Sequence, residues 1–165
     1  MELRDELISW LNDAYAMERG LEITLDKQRR NDELHGAIRE RVAIHLDETR
    51  AHAERLERCL RTLGTEPSTL KSATAQAMET AKGLTSMFAS DERVKDYLAS
   101  VGAEYFEAAC YRALITGARE MGEQELLPLL EQNLREDQEM ARWLEDNIEV
   151  TVRGYLSSVA TGAPA

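Results

Sequence analysis

At 165 residues, the chain is long enough for one domain with a substantial core. Only 5% of the residues are aromatic, and 3 prolines and 9 glycines leave long stretches free for helices, so the composition favours an all-α protein. The formal net charge of −11 repels phosphate backbones and argues against nucleic acid as a direct partner. Since no N-terminal signal segment and no apolar run of membrane-spanning length occur, we expect a cytoplasmic protein without membrane contacts.

Two long helices are predicted in the first part of the chain. Over residues 2–30, apolar side chains recur every three or four positions, and Glu18 occupies one position of this apolar stripe. A second helix follows the N-cap signal Asn31-Asp32 and extends to Leu63, where Gly64 ends it. Because the turn between them is short, these two helices should be antiparallel neighbours.

A third long helix follows a weaker helical segment. Residues 68–89 are rich in Ala and Thr, and we interpret them as a crossover helix that joins two helical hairpins. The third long helix covers residues 91–121, and its apolar stripe again contains an acid, Glu104, with Glu107 one turn further on. The inner face of this helix is therefore predicted to carry carboxylates at mid-length.

The fourth long helix is predicted to begin near Gln124, because Pro128 is tolerated only close to a first helical turn. Its sequence allows two inner stripes, one that contains Asp137 and a neighbouring one that contains Glu136. The stripe with Asp137 is the more apolar, which favours a position for Glu136 at the edge of the core rather than at its centre.

Together these elements predict an all-α fold, namely an antiparallel four-helix bundle with an additional crossover helix between helices 2 and 3. Residues 1–150 would form the bundle. Residues 151–165 are mostly small and include glycine, so we expect a short C-terminal helix followed by a frayed tail.

Two imidazoles and a carboxylate share one face of the second helix. Positions i, i+3 and i+7 of a helix point the same way, so His45, Glu48 and His52 interrupt a stripe that should face the core. A lone ionised carboxylate there needs a proton, a partner or a metal. Acids on the inner stripes of all four long helices form the layout that dinuclear carboxylate sites in bundles require. Oxygen-rich sites with few imidazoles suit Fe(II) or Mn(II).

Short motifs in a fixed order carry a resemblance to a known family: Asp13-Ala-Tyr15-Ala-Met-Glu18, His45-Leu-Asp-Glu48-Thr49 with Arg55-Leu56, Glu104-Tyr-Phe-Glu107 with Tyr111, and Leu134-Arg-Glu136-Asp137. They resemble the YciF-like stress proteins of the ferritin-like superfamily, over roughly the first 150 residues. The resemblance implies a ferritin-like four-helix bundle with one extra helix, a homodimer and a role in stress response. The paired acids of the third helix are also similar to those of rubrerythrin-type di-iron proteins.

The resemblance also implies a set of metal ligands: Glu18, Glu48, Glu104, Glu107 and Glu136. In a standard ferritin-like site, histidine follows three residues after the Glu of the second helix and often of the fourth. Ala51 and Glu139 occupy those positions here. His52, one residue beyond the first of them, and His45, on the opposite turn, are therefore the candidate imidazole ligands.

Two hypotheses from different classes follow. The first is a ferritin-like metal-binding stress protein whose dinuclear iron or manganese site reacts with dioxygen or peroxide, with Glu48 and Glu107 as bridging ligands. The second is a non-catalytic, dimeric helical scaffold or adaptor with a degenerate, metal-free site. A DNA-protecting ferritin-like shell is disfavoured, because the chain has no basic arm and its net charge has the wrong sign.

Overall fold

The computed structural model describes residues 3–31, 36–68 and 92–161. Within these ranges the chain forms helices and no strand, in the order α1 (Leu3–Arg29), α2 (Gly36–Thr62), α3 (Glu92–Glu120), a 3₁₀ turn (Gln124–Leu126), α4 (Leu127–Asp146) and α5 (Ile148–Thr161). The predicted all-α class is confirmed. Asp32 of the predicted N-cap, the predicted crossover helix apart from Ser68, and residues 162–165 of the predicted tail lie outside the described residues.

Glycine and proline set the helix ends where the sequence predicts them. Gly64 follows α2 with a φ of +76°, and Gly122 follows α3 with a φ of +73°, a conformation that costs glycine little. After Gly64, the amide of Thr65 donates to the carbonyl of Leu60 at 3.0 Å, which satisfies an otherwise unpaired terminal carbonyl of α2. Pro128 lies in the first turn of α4, where its missing N–H costs no helical hydrogen bond.

Apolar clusters at the two ends of the bundle hold the four long helices together. At one end, buried side chains from all four pack into one cluster, chiefly Leu7, Leu11, Leu56, Leu60, Tyr111, Leu114 and Leu130. The opposite end contains two smaller clusters, made of Leu25, Val42 and Leu46, and of Tyr97, Met140 and Leu144. The order of these residues along the chain makes α1 antiparallel to α2 and α3 antiparallel to α4, as predicted.

The last helix lies outside this core. α5 contacts α3 and α4, and none of its side chains is buried. Val150, Leu156 and Val159 are more than half exposed. Within the described ranges, no helix is both long enough and apolar enough to span a bilayer.

Candidate metal centre

Between the apolar ends, polar side chains from all four long helices are buried in the middle of the bundle. None of them is more than 5% exposed: Glu18, His45, Thr49, His52, Glu104, Glu107, Asn133 and Asp137. α1 supplies the first of these, α2 the next three, α3 the pair of glutamates, and α4 the last two. We refer to the carboxylates and imidazoles among them as the central cluster.

One group of potential ligands combines α1, α2 and α4. Donor atoms of Glu18, His52 and Asp137 all lie within 4.8 Å of one another. The Nδ1 atom of His52 is 3.5 Å from Oε2 of Glu18 and 3.4 Å from Oδ1 of Asp137. These distances exceed those of good hydrogen bonds, so the three side chains face a common point without satisfying one another.

A second group combines α2, α3 and α4. Donor atoms of His45, Glu104 and Asp137 lie within 4.8 Å of one another, and Nε2 of His45 is 3.0 Å from Oε1 of Glu104. The ring centroids of His45 and His52 are 6.3 Å apart. Asp137 belongs to both groups, so the central cluster contains two adjacent sets of potential ligands with one shared carboxylate.

Several polar atoms of the central cluster have no hydrogen-bond partner among the described residues: Oε2 of Glu18, Nδ1 of His52, Oε2 of Glu104, and both carboxylate oxygens of Glu107 and of Asp137. A buried carboxylate oxygen without a donor or cation is strongly disfavoured. Carboxylate oxygens with nearby imidazole nitrogens are the donor set that suits Fe(II) and Mn(II). The residues present therefore fit a metal site.

Burial and the crowding of acids make the central cluster retain protons. Burial, reinforced by Glu104, raises the pKa of Glu107 well above its usual range. Burial also raises the pKa of Asp137, to about 8, although His52 opposes the rise. Burial lowers the pKa of the imidazoles, but the neighbouring acids outweigh it, so the pKa is about 9 for His45 and about 10 for His52. At neutral pH, protons thus supply the positive charge that these acids need.

Glu18 is oriented by a hydrogen-bond chain that begins at the edge of the bundle. The hydroxyl of Tyr111 donates to Oε1 of Glu18 at 2.5 Å and accepts from Nδ2 of Asn133 at 2.9 Å. Oδ1 of Asn133 accepts in turn from Nη1 of Arg55 at 2.8 Å. Burial and the adjacent Glu18 raise the pKa of Tyr111 well above its usual value, so the phenol keeps its proton. Oε2 of Glu18 is left to face His52.

The model of a family described as "Domain of unknown function (DUF892)" matches residues 2–157. The chain belongs to this family. A protein from Xanthomonas campestris with a known crystal structure is 33% identical to this DUF892 chain, with a TM-score of 0.82, and the match covers 96% of this chain and 99% of that one.

Two further solved structures share the fold of the DUF892 chain. The stress protein YciF of E. coli is 22% identical with a TM-score of 0.77, and the match covers 93% of this chain and 98% of that one. The ferritin-like, diiron-carboxylate proteins of Bacillus anthracis are 20% identical with a TM-score of 0.70, and the match covers 90% of this chain and 99% of that one. The similarity to YciF and the ferritin-like fold, both predicted from the sequence motifs, are confirmed.

Most of the residues that the sequence predicts as ligands in this DUF892 protein lie together in the central cluster: Glu18, His45, His52, Glu104 and Glu107. Glu48 and Glu136 instead lie half-buried at its edge, bonded to Arg41 and Arg55 respectively. Asp137 is absent from the predicted ligand set, although its position on the more apolar stripe of α4 is a sequence signal for it. The ligand roles of all these residues stay predictions.

Proposed function

We propose that this protein binds two iron or manganese ions in the central cluster and that the resulting centre reacts with dioxygen or peroxide. The observation that carries the proposal is the set of buried carboxylate oxygens on Glu104, Glu107 and Asp137 that have no donor in the described part of the chain. Buried carboxyl groups without partners are costly to the fold, whereas a bound cation would satisfy their oxygens. The fold shared with ferritin-like, diiron-carboxylate proteins supports the same assignment.

The two groups of potential ligands suggest a division of roles. Glu18 and His52 would hold one metal ion, and His45 and Glu104 would hold the other. Asp137, which is common to both groups, would be shared between the ions. In this proposal Asp137 is the ligand supplied by α4.

The remaining residues of the site would hold and shield these ligands. Glu107 would add a second carboxylate from α3 beside Glu104. Tyr111 fixes the orientation of Glu18, and the apolar clusters at the two ends of the bundle keep bulk water from the ligands. When bound, a pair of iron or manganese ions would supply the redox chemistry toward dioxygen or peroxide.

Metal binding and proton binding should compete at this site. Carboxylates and imidazoles coordinate a metal only after they lose their protons. The raised pKa values of Asp137 (about 8), His45 (about 9) and His52 (about 10) mean that each holds a proton at neutral pH. Metal uptake should therefore release protons and become tighter as the pH rises.

Metal retention by the Asp137→Asn variant tests the proposal. Wild-type protein loaded anaerobically with Fe(II) and then desalted should retain about two metal ions per chain. Asp137→Asn keeps the shape of the side chain but removes the shared charge, so it should retain little metal and consume peroxide no faster than buffer. Asp146→Asn, an exposed site near the end of α4, is the matched control and should behave as wild type.

Two results would contradict the proposal: a wild-type protein that retains no metal after loading, or an Asp137→Asn protein that retains as much metal as wild type. Inductively coupled plasma mass spectrometry of the desalted protein measures both directly.

A non-catalytic helical scaffold is the second candidate. It is favoured by Arg41 and Arg55, which neutralise Glu48 and Glu136 without a metal. For a scaffold, the thermal midpoint should be indifferent both to EDTA and to added metal. A midpoint that rises on addition of Fe(II) or Mn(II) would exclude this candidate.

The oligomeric state, cellular location and biological role of the protein are proposed from the resemblance alone. A homodimer, a cytoplasmic location and a role in stress response are what YciF-like proteins suggest for this chain. Sedimentation equilibrium of the purified chain tests the first of these, because a homodimer has twice the mass of the 18.6 kDa monomer.

A further inference from the structure

A relay of three residues, Arg41, Glu48 and His45, runs from the edge of the bundle to the central cluster. The Nε2 atom of His45 faces the cluster, 3.0 Å from Oε1 of Glu104. Its Nδ1 atom points the other way and lies 2.8 Å from Oε2 of Glu48. The same oxygen accepts from Nη1 of Arg41 at 3.0 Å.

His52 lies in an equivalent relay formed with α4. Its Nδ1 atom faces Glu18 and Asp137, and its Nε2 atom lies 2.9 Å from Oε2 of Glu136. Nη1 of Arg55 donates to that oxygen at 2.7 Å, and Nη2 donates to the second carboxylate oxygen at 3.2 Å. Each buried imidazole therefore has an inner nitrogen toward the cluster and an outer nitrogen on a glutamate that an arginine also binds.

The outer glutamates differ from the acids of the central cluster in burial and in bonding. The side chains of Glu48 and Glu136 are 24% and 21% exposed, whereas both imidazoles are at most 1% exposed. The buried acids of the cluster have carboxylate oxygens without partners among the described residues, whereas Oε2 of each outer glutamate lies within hydrogen-bond distance of both an arginine and a histidine nitrogen. Coordination of a metal by these carboxylates would be less favourable than coordination by the unpartnered ones, because they already accept hydrogen bonds from both an arginine and a histidine.

The geometry of the outer glutamates suits a role in orienting the imidazoles. Oε2 of Glu48 lies 2.8 Å from Nδ1 of His45, and Oε2 of Glu136 lies 2.9 Å from Nε2 of His52. A carboxylate that accepts one imidazole N–H fixes the ring and directs the other nitrogen toward a metal.

We infer that Glu48 and Glu136 are positioning residues rather than metal ligands, each of which accepts the outer N–H of a buried histidine and presents the inner nitrogen to the metal centre. This inference rests on the proposed metal centre. It makes the two histidines coordinate through different atoms, Nε2 for His45 and Nδ1 for His52. It also departs from the assignment that the sequence resemblance implies, in which both glutamates are ligands.

Zn(II) titration of alanine variants separates a positioning residue from a ligand. Glu48→Ala and Glu136→Ala should still bind as many Zn(II) ions at saturation as wild type, but about 10- to 100-fold more weakly. Gln at either position keeps an acceptor oxygen and should recover part of the lost affinity. The matched controls are Glu54→Ala on α2 and Glu139→Ala on α4, both exposed, which should bind as wild type.

The titration distinguishes failure of this inference from failure of the proposed function. If Glu48→Ala or Glu136→Ala loses a metal equivalent at saturation, as expected for a ligand, the inference is overturned while the metal centre stands. If the wild type itself binds no Zn(II), Fe(II) or Mn(II), the proposed function fails and the inference fails with it. Circular dichroism of each variant separates a lost metal from a lost fold.

Nuclear magnetic resonance of ¹⁵N-histidine-labelled, Zn(II)-loaded protein shows which nitrogen of each imidazole ring carries the proton. His45 should retain its proton on Nδ1 and His52 on Nε2, so the two rings should show opposite tautomers. Glu48→Ala should abolish the hydrogen-bonded Nδ1–H signal of His45 and leave the Nε2–H signal of His52 unchanged. The same tautomer for both rings, or coordination through the outer nitrogens, would overturn the inference.

Discussion

At the scale of single residues, the site depends on how each buried acid is held. Glu18 has one oxygen fixed by Tyr111 and one that faces His52 without a hydrogen bond. Asp137 has no donor for either oxygen in the described ranges. Glu18 suits a metal site because its held oxygen sets the direction of its open oxygen, and Asp137 offers both oxygens.

The Tyr111→Phe variant tests whether the hydrogen bond from Tyr111 orients Glu18. Loss of the hydroxyl leaves Oε1 of Glu18 without its donor, so we expect the metal-free protein to lose about 1–3 kcal/mol of unfolding free energy. Metal affinity should also fall, since Glu18 is no longer oriented. Urea unfolding in EDTA measures the first effect.

Tyr105→Phe is the matched control for that measurement. Its hydroxyl donates to Glu145, but the residue is about half exposed, so water can replace the bond. We expect its unfolding free energy to lie within about 0.5 kcal/mol of wild type. Equal effects of the two substitutions would mean that the bond between Tyr111 and Glu18 has no special role.

At the scale of secondary-structure elements, each long helix has apolar ends and a polar middle. The middles of α1, α3 and α4 bring acids together, and α2 brings the two histidines that partly neutralise them. Helix packing in the metal-free protein therefore depends on protons held at mid-length. Without those protons, the buried carboxylates would repel one another, and the low-dielectric interior would strengthen that repulsion. The side chains that form the apolar clusters at the two ends of the bundle carry no charge that could offset it.

We therefore expect the stability of the metal-free protein to fall as the pH rises from about 5 to about 9. The folded-state pKa is raised for Asp137 (about 8), His45 (about 9) and His52 (about 10). The native state then binds protons that the unfolded state releases, and their stabilising contribution is lost as the pH passes through these values. Below this window, protonation of Glu136, whose pKa is about 2, lowers stability again.

Chemical unfolding in EDTA across this pH range measures the effect. Saturation with Mn(II) should reduce or reverse the decline, because the metal binds the deprotonated ligands. A midpoint that stays constant or rises between these pH values without metal would contradict the account.

At the scale of the whole molecule, the fold was more predictable than the site. Apolar spacing, together with Gly64, Gly122 and Pro128, predicted the long helices to within a few residues and hence a bundle of antiparallel pairs. These signals are local, and each has a direct backbone cause. The family resemblance added the ferritin-like fold, which the structural comparisons confirm.

The sequence was less informative about which acids face the core. Glu136 and Asp137 are adjacent, and one residue of a helix turns a side chain by about 100°, so the packing of α4 decides between them. The more apolar stripe indicated Asp137, but the resemblance pointed to Glu136. The relay through Arg55 joins residues 81 positions apart in the chain, and no local pattern predicts such a contact.

Anomalous scattering tests the central claim most directly. Crystals of the protein soaked anaerobically in Fe(II) and measured at the iron absorption edge should show two peaks between α1, α2, α3 and α4. Both peaks should lie beside Asp137, with Glu48 and Glu136 outside coordination distance. An anomalous map with no peak in the interior, or with peaks only on the acidic surface, would contradict the account.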